Sequence, residues 1–254
     1  MNVTLSDSMW ERISVLLANI EGISLNSSTR DFIDSVLWIL RTGAQWRSLK
    51  HKTDTANWNA IYKRFRRWSA LCVFEKILET LKQDADFEWI CIDSTMIRAH
   101  MSAAGAPKSA GGQEAQSFGR SRGGFSTKIH IKVDALGLPL KMVLTPGQRG
   151  DMPGAWLLCQ DSDVQATAVM CDTAYDSNDF RAYWSDLDVE AVIPSNPTRK
   201  KLIPNYKHLY KARHVVECFI NKIKWYRRIS TRYDKLDQTY LSFLHLAACL
   251  IWLR

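Results

Sequence analysis

Phe87–Asp93 reads FEWICID and Ala166–Asp172 reads ATAVMCD: two short apolar runs, each closed by an aspartate. Apolar runs of this length, rich in Ile, Val and Trp, fit buried strands. Between them, Phe125–Val133 (FSTKIHIKV) alternates with period two, so that Thr127, Ile129, Ile131 and Val133 face one way. Asp134–Gly137 supplies a turn, and Leu138–Leu144 returns as the second arm of an antiparallel hairpin. Ala99–Gly124 is rich in Ala, Gly and Ser and reads as a long loop. Further on, Asp151–Gln160 and Ser177–Leu187 read as helices, Val189–Ile193 as a last strand, and His208 onward as one long helix.

The resulting order is strand, strand, strand, helix, strand, helix, strand, helix. It is the order of ribonuclease H-like nuclease folds, in which helices flank a mixed α/β sheet. Upstream, the first 83 residues read as helices. Ser6 or Ser8 can cap the first, and Ser8 with Glu11 fits a capping box. The second spans Ser28–Arg41 and stops at Gly43; a fourth spans Phe74–Leu81. The third, Thr55–Trp68, sets Lys63, Arg64, Arg66 and Arg67 among Trp58, Ile61, Tyr62, Phe65 and Trp68. Short helices ending in a basic amphipathic one suit a helix-turn-helix module with the third helix against DNA. The chain is therefore expected to divide into a helical DNA-binding domain, 1–83, and a catalytic domain, 84–254.

Charge is distributed unevenly. Residues 1–83 carry 12 Lys/Arg against 8 Asp/Glu, residues 84–197 carry 9 against 15, and residues 198–254 carry 13 against 3. Basic ends around an acidic middle suit a protein that grips a polyanion and holds cations with carboxylates. The longest apolar stretch, Tyr240–Leu253, is too short to span a bilayer, and no secretory signal opens the chain, so a cytoplasmic, membrane-free protein is expected. Six scattered cysteines without a C-x-x-C pair read as reduced thiols, and the histidines lack metal-ligand spacing.

Nucleases of this fold gather carboxylates from distant parts of the sequence around two divalent ions. Hard ions such as Mg²⁺ take oxygen ligands and keep several waters, so two or three carboxylates suffice. Asp93 and Asp172 follow the first and fourth expected strands. Along an ideal helix at about 100° per residue, Tyr210, Arg213, Glu217, Asn221, Lys224 and Arg228 share a stripe about 80° wide. Val215, Val216, Phe219, Ile223 and Tyr226 occupy the opposite face. A lone carboxylate ringed by Arg213, Lys224 and Arg228 suits a metal ligand beside phosphates. Arg120 and Arg122, in the run GRSRGG, can hold phosphates through side chains and open backbone. Asp176 is expected to cap the helix after it.

These segments resemble the DDE transposases of bacterial insertion sequences, in particular insertion-sequence family five. The resemblance covers nearly the whole chain. Tyr210, Arg213, Glu217 and Lys224 reproduce that group's Y-(2)-R-(3)-E-(6)-K pattern, and IDSTMIRAH (92–100), GRSRGGFSTKIH (119–130), LTPGQ (144–148) and DTAYDS (172–177) match its blocks. So do LRTGAQW (40–46) and YKRFRRW (62–68). Cys171, His214 and Cys218 depart from its common residues, and none of these departures removes a ligand. The resemblance implies that Asp93, Asp172 and Glu217 form a catalytic, metal-binding triad using Mg²⁺ or Mn²⁺. It implies double-stranded DNA as partner, both element terminal inverted repeats and target, and at least a homodimer on DNA. The alternatives are a non-catalytic DNA-binding relative acting as repressor or architectural protein, and a resolvase or repair nuclease of the same fold.

Overall fold

The computed structural model describes residues 4–51, 57–106, 108–160, 166–204 and 207–254. Thr55 and Ala56 of the expected third helix, and Pro107 of the expected long loop, lie outside the described residues. In chain order the helices are α1 (Asp7–Ala18), α2 (Thr29–Thr42), α3 (Trp58–Ala70), α4 (Val73–Leu81), α5 (Asp151–Cys159), α6 (Asn178–Asp186), α7 (Lys207–Tyr210), α8 (His214–Lys224), α9 (Arg227–Ser230) and α10 (Asp237–Trp252). The strands are β1 (Trp89–Ala99), β2 (Gly119–Ser121), β3 (Gly124–Val133), β4 (Pro139–Pro146), β5 (Ala168–Met170), β6 (Glu190–Val192) and β7 (Thr231–Arg232). By packing, the residues form two compact units. One contains residues 84–96 and 117–222; the other contains 1–83, 97–116 and 223–254.

The first unit holds the sheet. Its strands run β2-β3-β1-β5-β6, and β3 takes β2 along its first residues and β4 along the rest. The β3–β4 ladder is antiparallel, whereas β1–β5 and β5–β6 are parallel, which makes this a mixed, ribonuclease H-like sheet. Ile129, Ile131, Val133, Val169 and Met170 are fully buried, each stabilising the fold by roughly 1.5–3 kcal/mol. The other side of β3 is covered as well. α5 packs on β3 and β4, and Gly154 lies so close to the His130 ring that a Cβ there would come within 2.3 Å of it. Only glycine fits that contact. Lys132, also buried, donates its Nζ to the Leu158 carbonyl at 3.1 Å.

The second unit is helical. Ser6, not Ser8, caps α1 by accepting from the Met9 amide at 3.2 Å. Ser8 lies inside the helix, so the expected capping box is not formed. Gly43 stops α2 in the left-handed conformation, φ 67°, which glycine adopts without strain. Asn57 caps α3 through the amides of Asn59 and Ala60. α10 is buried on nearly all sides and packs on α3, α4 and α9, as expected of a core helix without a polar face. Arg98 and Ala99, at the end of β1, pair in parallel with β7.

Three further expectations are corrected. The first strand does not end at Asp93 but runs six residues further, because Thr95 and Ile97 are buried while Met96 and Arg98 are exposed. The polar residues of STMIRA hide this period-two pattern from a search for apolar runs. The loop expected over 99–124 contains 3₁₀ turns at Met101–Ala103, Lys108–Ala110 and Glu114–Gln116 and ends in the β2–β3 hairpin. The helix expected from His208 onward is broken: a 3₁₀ turn at Lys211–Arg213 separates α7 from α8, and Trp225–Tyr226 separates α8 from α9.

Candidate active site

The parallel register of β1 with β5 aligns Trp89 with Ala168, Ile90 with Val169 and Cys91 with Met170. Asp93 and Asp172 each stand two residues beyond the last pair of this ladder, on neighbouring strands of one sheet. Backbone connectivity therefore brings two carboxylates, 79 positions apart in sequence, to the same end of the β1–β5 ladder. Asp172 caps the 3₁₀ turn Thr173–Tyr175, accepting from the Ala174 amide at 2.8 Å. Asp93 accepts from the Ser94 amide at 2.7 Å. Burial raises the Asp93 pKa above the usual carboxylate range, and the charge of Asp172 adds to the rise; the Ser94 amide and the Arg213 guanidinium oppose it.

The third carboxylate arrives through Arg213. Its Nη1 donates to Asp93 Oδ2 at 2.7 Å, and its Nη2 donates to Glu217 one helical turn further on. The guanidinium also lies 5.6 Å from the Tyr210 ring centroid. Burial alone would lower the Arg213 pKa, but Asp93, Tyr210 and Glu217 raise it, so the charge is fixed. Glu217 lies in the first turn of α8, where a carboxylate is favoured by the helix dipole. Its side chain is 52% exposed against 14% for Asp93. Within α8 the amphipathic pattern holds: Val216, Phe219, Ile220 and Ile223 are buried, while Glu217, Asn221 and Lys224 face solvent.

A second group of side chains supports Asp93 and was not singled out from the sequence. Ser94 donates its hydroxyl to Asp151 at 2.5 Å, and Lys128 Nζ reaches the same oxygen at 2.9 Å. Asp151 opens α5, Lys128 lies on β3 and Ser94 on β1, so three elements meet beside Asp93. An acidic residue at a helix start was visible in the sequence; its cross-strand partners were not. Asp176 does not cap the following helix. Ser177 does so, accepting from the Phe180 amide at 3.1 Å, while Asp176 is bound by Arg181, Arg199 and the Asn196 amide.

The donor set suits a hard divalent cation, because Asp93, Asp172 and Glu217 offer carboxylate oxygens only. Among the described residues, no three His, Cys, Asp or Glu side chains converge as a metal-holding group. Between Asp93 and Glu217 the positive charge is supplied by Arg213.

The basic residues named from sequence divide in two. Lys63, Arg66 and Arg67 on α3, Arg120 on β2, Arg122 in the β2–β3 turn and Lys224 on α8 are exposed. Arg64 turns inward: it donates to Thr29 at 2.8 Å and lies 4.5 Å from the Phe32 ring centroid and 5.2 Å from that of Trp68. Arg228 is also withdrawn from the stripe expected to face DNA. It is buried on α9, donates through Nε and Nη2 to both Asp234 oxygens at 2.9 Å, and so neutralises that carboxylate. The break after α8 is the cause, since a wheel drawn through it does not apply.

A mixed sheet of this order, with Asp93 and Asp172 two residues past the last pair of the parallel β1–β5 ladder and Glu217 on the last helix of the unit, is a ribonuclease H-like scaffold. Residues 85–252 match the family described as "Transposase DDE domain", and the chain belongs to that family. Residues 5–78 match a second one, "Putative transposase of IS4/5 family". Over 132 residues the chain is 45% identical to the "Putative transposase for insertion sequence element IS6501" of Brucella ovis, covering 51% of this chain and all of that protein. An uncharacterized protein of Sinorhizobium fredii is 37% identical over 111 residues, 43% of this chain and 87% of its own length. The fold resembles that of piggyBac transposase in its synaptic complex with hairpin DNA, with a TM-score of 0.56 and 9% identity over 99% of this chain and 72% of that one. Among the described residues, no helix is long and apolar enough to cross a membrane.

Proposed function

We propose that the chain is an insertion-sequence transposase that binds the terminal inverted repeats of its element and performs metal-dependent DNA strand cleavage and transfer. One observation carries the reading: Asp93 and Asp172 stand at equivalent places two residues past the last pair of the parallel β1–β5 ladder, and Arg213 ties Asp93 to Glu217. In this reading Asp93 and Asp172 hold a shared Mg²⁺ or Mn²⁺ ion, and Glu217 completes a second site. Ions so held supply an activated oxygen nucleophile and neutralise charge on the leaving oxygen.

The chain's own contribution is positioning and electrostatics. Arg213 exchanges its carboxylate partners for a backbone phosphate near the scissile bond, beside Tyr210 and Lys224. Lys63, Arg66, Arg67, Arg120 and Arg122 contribute sequence-independent phosphate contacts. Water attack at the element end frees a 3′-hydroxyl, which then attacks target DNA, and joining two ends calls for at least a dimer. The test is Asp93→Asn assayed on labelled repeat-end duplex in Mg²⁺: binding stays near wild type and cleavage is abolished. A variant that still cuts overturns the assignment.

A further inference from the structure

The helical unit contains a cavity of about 520 Å³ whose lining includes none of Asp93, Asp172 and Glu217. Four rings contribute to its wall: Trp46, Trp58, Tyr62 and Tyr233. Trp58 and Tyr62 are one turn apart on α3 and so share a face; Trp46 lies 5.3 Å from Tyr62, tilted by 57°. These rings differ from the aromatic core of the same unit. Phe65, Phe74 and Phe243 are at most 2% exposed, whereas all four cavity rings are only half-buried. The indole N–H of Trp46 is buried and has no hydrogen-bond partner among the described residues.

The rest of the lining is polar or charged apart from Leu236. Arg47, Arg66 and Lys235 line the cavity and are exposed. Arg47 lies 5.6 Å from the Trp58 ring centroid, and Arg66 donates to the Tyr62 hydroxyl at 3.3 Å. Asp234 also lines the cavity, but Arg228 binds both its oxygens. Half-open rings flanked by cations match the two chemical parts of a nucleotide. The base stacks on aromatic faces, and its phosphates meet the cations. The cavity volume lies within the usual range for a small-molecule site, roughly 300–1,000 Å³. A paired base offers a protein only its groove edges, so a concave wall of ring faces suits a base that has left the stack.

We infer that this cavity binds an unpaired nucleotide of DNA, with Trp58 and Tyr62 contacting the base and Arg47, Arg66 and Lys235 the flanking phosphates. The inference rests on the reading of the chain as a DNA-handling protein and adds a specific form of DNA to it.

The test compares the full chain on two 20-base-pair duplexes, one fully paired and one carrying a single unpaired 2-aminopurine nucleotide. Wild type should bind the second about tenfold more tightly and quench its fluorescence. Trp58→Leu should lose that preference and the quenching while binding the paired duplex like wild type; Trp58→Phe should keep both. Equal binding of the two duplexes by wild type, or unquenched 2-aminopurine in its complex, overturns the inference without reference to any variant. Binding of paired repeat-end duplex with metal-dependent cleavage but no preference leaves the transposase reading standing and removes the cavity site. Preference without cleavage does the reverse.

Discussion

Arg213 and Asp93, 120 residues apart in sequence, form an ion pair of 2.7 Å, and the same guanidinium reaches Glu217. One cationic side chain thus pairs with two of the three carboxylates proposed to bind metal. The bond to Asp93 is shielded, with 16% and 14% of the two side chains exposed, so it is stronger than a surface pair.

Arg213 and a divalent cation therefore compete for the same oxygens. Arg213→Gln is expected to bind Mn²⁺ about tenfold more tightly in the absence of DNA, the equivalent of one charge-assisted hydrogen bond. Strand cleavage should nevertheless fall, because the same residue is assigned to a scissile phosphate. Electron paramagnetic resonance of free Mn²⁺ during titration reads the affinity directly. Unchanged or weaker binding by the variant would contradict the competition.

Asp151 is expected to support Asp93 without touching substrate. Asp151→Asn removes the ion pair to Lys128 but leaves an oxygen for the Ser94 hydroxyl. The pair is mostly shielded, 12% and 22% exposed, so a stability loss of about 1.5 kcal/mol is expected in urea unfolding. Ser94→Ala should affect stability less than cleavage, since the Ser94 amide still holds Asp93. A Ser94→Ala protein as active as wild type would remove Ser94 from this role.

His130 predicts a specific acid sensitivity. Burial lowers its pKa to about 4, with Lys128 assisting and Asp151 opposing. Its Nε2 pairs with the Thr145 hydroxyl at 2.8 Å. The unfolded imidazole titrates near 6.5, so the unfolded chain takes up the proton first as pH falls. Its contribution to stability is complete above about 6.5 and declines by up to about 1.4 kcal/mol per pH unit down to about 4. Unfolding free energies measured across that window should show the slope in wild type and lack it in His130→Gln. Parallel curves for the two proteins would mean that His130 is not the group responsible.

The contrast between β1 and α8 shows what sequence patterns could convey. The apolar runs ending in Asp93 and Asp172 mark strands because burial on both faces requires apolar residues there, and the amphipathic stripe marks α8 for the same reason. Beyond Asp93 the strand is half-exposed, and polar side chains mask it. The break between α8 and α9 was also hidden: Trp225–Tyr226 carries no Pro or Gly, and the turn is accompanied by the pair of Arg228 with Asp234, six residues on. Arg228 accordingly changes from an expected DNA contact to a buried structural cation. Arg64 is half-buried against Phe32 and Trp68, because alternation of charge and ring along α3 does not reveal which arginine faces Phe32. Strand order and helix phase drew attention to the three carboxylates, and the family resemblance gave them a joint role as an expectation. Arg213 as the link between Asp93 and Glu217 was not legible, since it depends on where two distant elements meet.

Asp176 provides the last prediction. Its side chain is fully inaccessible, and it binds Arg181 Nε at 2.8 Å, Arg199 Nε and Nη2 at 2.9 Å, and the Asn196 amide at 2.7 Å. Burial opposes ionisation, but Arg199, the Asn196 amide and Arg181 outweigh it and hold the carboxyl down at about 2. A carboxylate with a depressed folded pKa stabilises fully above its unfolded value, near 3.9, and loses that contribution as pH falls toward 2. Asp176→Asn leaves two arginines facing a neutral amide, so a loss of about 3 kcal/mol is expected at pH 7. The gap between wild type and variant should narrow as pH falls below about 3.9, where the unfolded carboxyl takes up its proton first, and be mostly gone as pH nears 2. Urea unfolding of both proteins at pH 7 and pH 2.5 measures this. A gap that is the same at both values would show that packing, not charge, makes Asp176 important.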